Sequence, residues 1–189
     1  VRARVLVQPG AAPVTLTDRF GRVHRDLRIS LTDHCNLRCT YCMPPEGVPW
    51  LPRTTLLTPE ELMRIVRIAV GEGIEEVRLT GGEPLLRPDC VDVVAAIASV
   101  EPRPEISITT NGIGLARLAE PLKRAGLARV NVSLDTLKPD RFHQLTRRNR
   151  LAGGGCRGAA PGETQRAAAA RDQRRRGTRP PGLRDGPRL

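Results

Sequence analysis

Aromatic residues are scarce in this sequence of 189 residues: two Phe, one Tyr and one Trp make up 2% of it. Proteins that bind single-stranded nucleic acid stack bases on aromatic side chains, so the scarcity argues against a specific nucleic-acid partner. No apolar run approaches the roughly 20 residues that a membrane-spanning helix needs, so we predict no membrane association. The first twenty residues contain no compact apolar stretch with a cleavage site, which predicts a cytoplasmic location.

Positive charge is in excess but unevenly distributed. The formal net charge is +11, of which the last 39 residues contribute +6 and residues 1–150 contribute +5. The last segment also holds 8 of the 18 glycines and few large aliphatic residues. It therefore cannot bury enough apolar surface to offset its loss of conformational entropy. We predict an N-terminal arm over residues 1–15, a folded domain over 16–150 and a disordered tail over 151–189.

Strand-like and helix-like patterns alternate through the predicted domain. Period-two strands are predicted at 27–31, 76–80, 106–109 and 130–134, and helices are predicted to begin at residues 59, 88, 115 and 139. In the first helix, Leu62, Ile65, Val66 and Ala69 form the predicted apolar stripe. Alternating β and α units form a parallel sheet with right-handed crossovers. The expected fold class is α/β, with about four βα units of an incomplete TIM-like barrel and one bare edge strand.

Three of the five cysteines are closely spaced. Cys35, Cys39 and Cys42 form a C-x3-C-x2-C pattern in the loop after the first strand. In a cytosolic chain this pattern does not indicate a disulfide framework. Structural zinc normally takes four ligands, and His34 is the one histidine nearby. Three thiolates on an iron–sulfur cubane leave one iron open for a substrate, so the pattern favours a cluster over zinc. Cys90 is expected to be a small buried residue.

Four motifs in a fixed order extend this interpretation. They are DLRISLTDHCNLRCTYCMP over 26–44, RLTGGEPLLR over 78–87, TTNG over 109–112 and NVSLD over 131–135. The cysteine motif resembles the cluster-binding signature of radical S-adenosylmethionine (SAM) enzymes. Together the motifs resemble the GTP 3′,8-cyclase family, molybdenum cofactor biosynthesis protein A, from about residue 16 to 150. The resemblance implies a partial radical SAM barrel, a [4Fe–4S] cluster and SAM.

Each candidate site residue takes its implied role from the family position that it matches. The implied cluster ligands are Cys35, Cys39 and Cys42, the implied SAM contacts are Tyr41, Gly82 and Ser133, and the implied GTP contacts are Arg28, Arg78 and Thr109. No side chain is assigned as a catalytic acid or base, and Glu83 is interpreted as an anchor of its turn. The residues alone leave alternatives open: a turn that merely needs glycine at Gly81-Gly82, and structural ion pairs of the two arginines with Glu83 or Asp33.

The reaction implied by the resemblance is a radical cyclisation of GTP. Cleavage of SAM gives a 5′-deoxyadenosyl radical, which abstracts the ribose 3′ hydrogen so that the carbon radical attacks C8 of guanine. The product is 3′,8-cyclo-7,8-dihydro-GTP, on the route to molybdopterin. The implied partners are GTP, an electron donor and cyclic pyranopterin monophosphate synthase, and the resemblance leaves a homodimer open.

The resemblance stops at about residue 150. The family continues with further βα units and a second cluster on three more cysteines, and neither Cys90 nor Cys156 matches that spacing. The Arg-rich tail is consistent with a frameshift, so we expect the chain as given to be truncated and unable to complete the cyclisation. Two alternatives are kept: another radical SAM enzyme, such as a peptide-maturing one, and a basic nucleic-acid-binding fragment acting through the tail.

Overall fold

Four β-strands and four α-helices alternate along the chain. The computed structural model describes residues 15–149, so the predicted tail over 151–189 and nearly all of the predicted arm over 1–15 lie outside the described residues. The strands are β1 (Asp26–Ser30), β2 (Glu76–Thr80), β3 (Glu105–Thr110) and β4 (Arg129–Val132). The helices are α1 (Pro59–Gly71), α2 (Cys90–Ala98), α3 (Leu115–Ala125) and α4 (Pro139–Thr146), with short 3-10 turns at Arg53–Thr55 and Pro84–Leu86. Among residues 15–149, no helix is long and apolar enough to cross a membrane.

The strands form one parallel sheet in chain order, β1-β2-β3-β4. A helix connects each strand to the next, which is the right arrangement for βα units that bury one side of the sheet. The predicted α/β fold, with four units of a partial barrel, is confirmed. The expectation of one bare edge strand is wrong, because within residues 15–149 both β1 and β4 lie at a sheet edge.

Helix α1 begins as the sequence predicts. The Thr58 hydroxyl accepts the Glu61 N–H at 3.2 Å and the Glu61 carboxylate accepts the Thr58 N–H at 2.9 Å, forming a capping box with Pro59 in the first turn. The residues that α1 buries are Leu62, Met63, Val66 and Val70. Ile65 was expected among them but is 40% exposed. The apolar residues of α1 span more than one stripe, and the stripe that contains Met63 and Val70 belongs to the core.

The apolar core lies between the helices and one face of the sheet. Its fully buried members include Val77, Leu79, Ile106 and Ile108 from the strands and Val66, Val94, Ile97 and Leu122 from the helices. Burial of each such side chain stabilises the fold by about 1.5–3 kcal/mol. Cys90 joins this core at 1% exposure, as predicted, and burial raises the pKa of its thiol to about 11.

The opposite face of the sheet is polar. Successive side chains of a strand point to opposite faces, so the residues between the core positions share this second face. The register places Arg28 of β1 beside Arg78 of β2, and Thr109 of β3 beside Asn131 of β4. Parallel sheets are usually apolar on both faces. The charged and hydroxyl-bearing residues here therefore indicate a face that lines a ligand cavity.

Candidate functional site

The three clustered cysteines lie in the loop that follows β1, at the carboxyl end of the sheet. Cys35 and Cys39 are half-buried and Cys42 is exposed. All three line one cavity of about 340 Å³ together with Tyr41, Gly82 and other residues from the ends of β2, β3 and β4. Burial raises the pKa of the Cys35 and Cys39 thiols. Both are therefore protonated at neutral pH and must release protons to bind iron.

The three thiols of the cysteine loop lie close enough to interact. Cys35 and Cys39 interact electrostatically with each other, and each also interacts with Cys42. The thiolates of a [4Fe–4S] cluster bind different iron atoms, so neighbouring thiols of one loop can supply three of its ligands. Within residues 15–149 no group of three or more His, Cys, Asp or Glu side chains is arranged around a single point.

Two glycines let the turn after β2 pack directly on the cysteine loop. The Gly82 N–H donates to the Thr32 carbonyl at 2.7 Å, and the Glu83 N–H donates to the His34 carbonyl at 2.7 Å. A Cβ atom on Gly82 would overlap the carbonyl oxygens of Asp33 and His34. A Cβ on Gly81, where φ is +148°, would overlap the Thr32 carbonyl. Close approach of two backbones thus already requires glycine here, and a contact of Gly82 with SAM stays a prediction.

Glu83 anchors the same turn to the next strand, as the sequence analysis proposed. Its side chain is 1% exposed. Its carboxylate accepts hydrogen bonds from the Thr110 hydroxyl at 2.7 Å, the Asn111 N–H at 2.7 Å and the Leu85 N–H at 3.1 Å. Burial raises the pKa of Glu83, and these hydrogen bonds oppose the rise. All of these bonds lie within the fold, so an anchoring role accounts for them.

Tyr41 connects the cysteine loop with the segment after β4, and Ser133 connects that segment with β3. The Tyr41 hydroxyl donates to Asp135 Oδ2 at 2.6 Å. Ser133 was predicted inside the fourth strand but follows its last residue, Val132, and its N–H donates to the Thr110 carbonyl at 2.7 Å. The structure therefore brings Tyr41, Gly82 and Ser133 to the cavity that the cysteines line.

The predicted GTP contacts line a second cavity of about 480 Å³ on the polar face of the sheet. Its lining includes Arg28, Arg78 and Thr109, which is the predicted set. The predicted ion-pair alternative named the wrong partners: Arg78 lies 3.1 Å from Glu76 and 3.7 Å from Asp26. Within residues 15–149 the buried Arg78 Nε has no hydrogen-bond partner. The Arg78 side chain is thus only partly engaged by carboxylates while it lines the cavity.

Residues missed by the sequence analysis complete this second cavity. Arg129 and Asn131 also line it, and Arg129 lies 2.6 Å from Glu76. Burial favours the protonated form of Glu76, but hydrogen bonds from Ser107, Arg129 and Arg78 outweigh it and lower the pKa to about 2. The alternation in β4 was the available signal, because Arg129 and Asn131 occupy the same face two residues apart.

Comparisons with known proteins agree with this geometry. The family model of the Radical SAM superfamily matches residues 29–152. A GTP 3′,8-cyclase of Streptomyces coelicolor is 65% identical over 136 residues, which cover 71% of this chain and 40% of the relative. Molybdenum cofactor biosynthesis protein 1 of Homo sapiens is 55% identical over 149 residues, which cover 78% of this chain and 23% of the relative. The chain thus spans about 40% or less of these relatives' lengths.

A solved structure shares the fold. The crystal structure of Streptococcus suis SuiB bound to S-adenosylmethionine is similar with a TM-score of 0.51 at 26% identity, over 64% of this chain and 27% of SuiB. The family match begins at the end of the first strand and covers the cysteine loop and the remaining βα units. The chain belongs to the Radical SAM superfamily, which implies a [4Fe–4S] cluster and SAM as its cofactors.

Proposed function

We propose that this chain forms the cluster- and SAM-binding part of a GTP 3′,8-cyclase of molybdenum cofactor biosynthesis. The observation that carries the proposal is that the two cavities are contiguous: Arg28, Thr109 and Ser133 line both. A ligand at the cysteine loop and a ligand on the arginines would therefore be neighbours. The identity of 55–65% with relatives named for this activity or pathway supports GTP as the second ligand.

The proposed ligands of the cluster are Cys35, Cys39 and Cys42. The chemistry that a bound cluster supplies is one-electron reductive cleavage of the SAM sulfonium. Tyr41, Gly82 and Ser133 are the proposed SAM contacts, because all three line the cysteine cavity. The turn at Gly82 and the loop at Cys35 are hydrogen-bonded to each other, so the chain holds the two parts of this site in a fixed relation.

Arg28, Arg78 and Thr109 are the proposed GTP contacts. Guanidinium groups pair well with phosphate because they offer several N–H donors in one plane. Arg28 and Arg78 are register neighbours on the same face, so both reach one anionic ligand. On this proposal the product is 3′,8-cyclo-7,8-dihydro-GTP, and the partners are an electron donor and the enzyme that consumes the product.

Anaerobic reconstitution with iron and sulfide tests the cluster assignment. The chain is expected to take up about four irons and to release 5′-deoxyadenosine from SAM on reduction, and Cys35→Ala is expected to abolish both. Cys90→Ala is the matched control, because Cys90 is a buried thiol in α2 away from the cysteine loop. Equal iron content in the two variants would contradict the assignment.

Calorimetry with GTP tests the nucleotide assignment. Arg28→Gln is expected to weaken GTP binding about tenfold, because a charge-assisted phosphate contact is lost. Arg64→Gln, on the exposed side of α1, is the control and should leave binding unchanged. Deoxyadenosine formation without GTP binding would support another radical SAM enzyme and overturn the cyclase proposal.

A further inference from the structure

We propose that Arg147, the residue after α4, is a positioning residue that holds the cysteine loop in shape for its cluster. Its Nη1 donates to the Arg38 carbonyl at 3.1 Å and to the Met43 carbonyl at 3.2 Å. Cys39 and Cys42 lie between these two carbonyls in the chain. One guanidinium therefore fixes both ends of the segment that carries two of the three thiols.

The backbone of Arg147 is in a conformation that this residue type rarely adopts. Its φ is +54°, and it is the one non-glycine residue of positive φ within residues 15–149. Its N–H closes α4 by donating to the His143 carbonyl at 2.7 Å. Glycine is the usual residue at such a helix end, because it has no Cβ to crowd the backbone. The two hydrogen bonds of the Arg147 side chain give a reason for an arginine at this strained position.

The end of α4 holds the loop through its backbone as well. The Arg38 N–H donates to the Thr146 carbonyl at 2.9 Å and the Thr40 N–H donates to the Leu145 carbonyl at 2.8 Å. The last carbonyls of a helix have no partner within the helix. Here the cysteine loop supplies those partners, while Arg147 binds carbonyls of the loop in return. Hydrogen bonds therefore run in both directions between the end of α4 and the cysteine loop, so the contact is more than one isolated surface hydrogen bond.

This inference rests on the proposed assignment of Cys35, Cys39 and Cys42 as cluster ligands, and two measurements keep the two proposals apart. Hydrogen exchange of the loop amides in the metal-free chain reports on the contact with Arg147. Iron and sulfide content after anaerobic reconstitution, with the electron paramagnetic resonance spectrum of the reduced protein, reports on the cluster. Cys35→Ala is expected to lose the cluster and keep the slow exchange of the loop.

Arg147→Gly is the decisive variant, because it removes the guanidinium and relieves the backbone strain together. We expect the amides of residues 38–43 to exchange about tenfold faster, while the midpoint of thermal unfolding stays the same or rises. Reconstituted iron content is expected to fall at least twofold. Arg147→Lys keeps a cation but not the planar fork, and we expect an intermediate exchange rate.

Arg148→Ala is the matched control, since Arg148 is the exposed neighbour whose Nη1 contacts the Arg147 carbonyl at 3.4 Å. It should leave both exchange and iron content unchanged. Loop exchange in Arg147→Gly equal to that of the unaltered chain would overturn the proposal. Faster exchange with full iron content and an unchanged spectrum would overturn it as well, because the contact would then have no bearing on the cluster. Loss of the cluster in Cys35→Ala with slow loop exchange retained would support both proposals.

Discussion

The two faces of the sheet are made by alternate residues of the same four strands, yet they serve different ends. One face presents Val77, Leu79, Ile106 and Ile108 to the helices and is almost free of polar groups. The other presents Arg28, Arg78, Thr109 and Arg129 to an open cavity. The apolar face stabilises the fold, whereas the charged side chains of the polar face form ion pairs with one another only in part. Substitutions on the first should cost stability, and substitutions on the second should cost ligand binding.

The apolar face is expected to give the largest effect. Leu79→Ala removes a fully buried side chain of β2 and leaves a cavity. We expect the free energy of unfolding to fall by about 3 kcal/mol, measured by urea denaturation. Leu137→Ala is the control, because Leu137 is 67% exposed and should change stability little. Similar losses in the two variants would remove the basis for separating the faces.

Glu83 is an exception to this division, because it is a charged side chain that is buried and stabilises the fold at the carboxyl end of the sheet. Glu83→Ala leaves the Thr110 hydroxyl and the Asn111 and Leu85 N–H groups without their acceptor. Unpaired donors cost stability, but removal of a buried charge returns some of it. We expect a net loss of about 2 kcal/mol in urea denaturation. Glu83→Gln keeps one acceptor oxygen and should lose less, so an equal loss would contradict anchoring by hydrogen bonds.

Arg78→Gln tests the role of the polar face of the sheet. Arg78 is register-paired with Arg28, and its buried Nε has no partner among the residues that the structure describes. We expect GTP binding to weaken about tenfold in calorimetry. The same variant should change the free energy of unfolding by less than about 1 kcal/mol, because its ion pairs are partly exposed. A large loss of stability with unchanged binding would assign Arg78 to the fold.

The smallest effect is expected from Glu76 and depends on pH. The folded state lowers the Glu76 pKa from 4.5 to about 2. A depressed pKa means that the stabilisation is complete above the ordinary pKa and is lost as the pH falls from 4.5 toward 2. Glu76→Gln should therefore lower the free energy of unfolding by about 1 kcal/mol at pH 6, with a difference that shrinks below pH 4.5.

Glu46→Gln, at an exposed position in the cysteine loop, is the control for the titration. It is expected to leave the pH profile of the unaltered chain in place. A gap between Glu76→Gln and the unaltered chain that stays constant down to pH 2.5 would show that the ion pairs of Glu76 do not stabilise the fold.

Local patterns in the sequence predicted the elements well. Strand β2 has the predicted bounds and is followed by Gly81, and helix α3 begins at the predicted residue and ends before Gly126. Ser133 was misplaced by one step, because the end of β4 depends on where its neighbour β3 stops pairing. Ile65 was misplaced because the periodicity of α1 does not specify which of its apolar residues the core buries, and Ile65 is exposed while Met63 and Val70 are buried.

Residues of the proposed site that lie within one motif could be identified from the sequence, whereas contacts between distant residues could not. The cysteine spacing and the turn at Gly82 are local and were recognised. The bonds between Arg147 and Arg38, Tyr41 and Asp135, and Arg129 and Glu76 join residues 109, 94 and 53 positions apart. No periodicity or spacing along one segment encodes such pairs. They depend on the register of the sheet and on the placement of α4.

The hydrogen bonds between the end of α4 and the cysteine loop have a consequence for the order of folding. During synthesis the cysteines emerge about 100 residues before Thr146 and Arg147, whose groups hold the loop. Contacts within each βα unit and between successive strands form across shorter separations, so their loop-closure cost is smaller. The cysteine loop is thus synthesised before the residues that hold it and is ordered after them. On the proposed assignment of the cysteines as cluster ligands, iron would meet an ordered loop only after the fourth unit has folded.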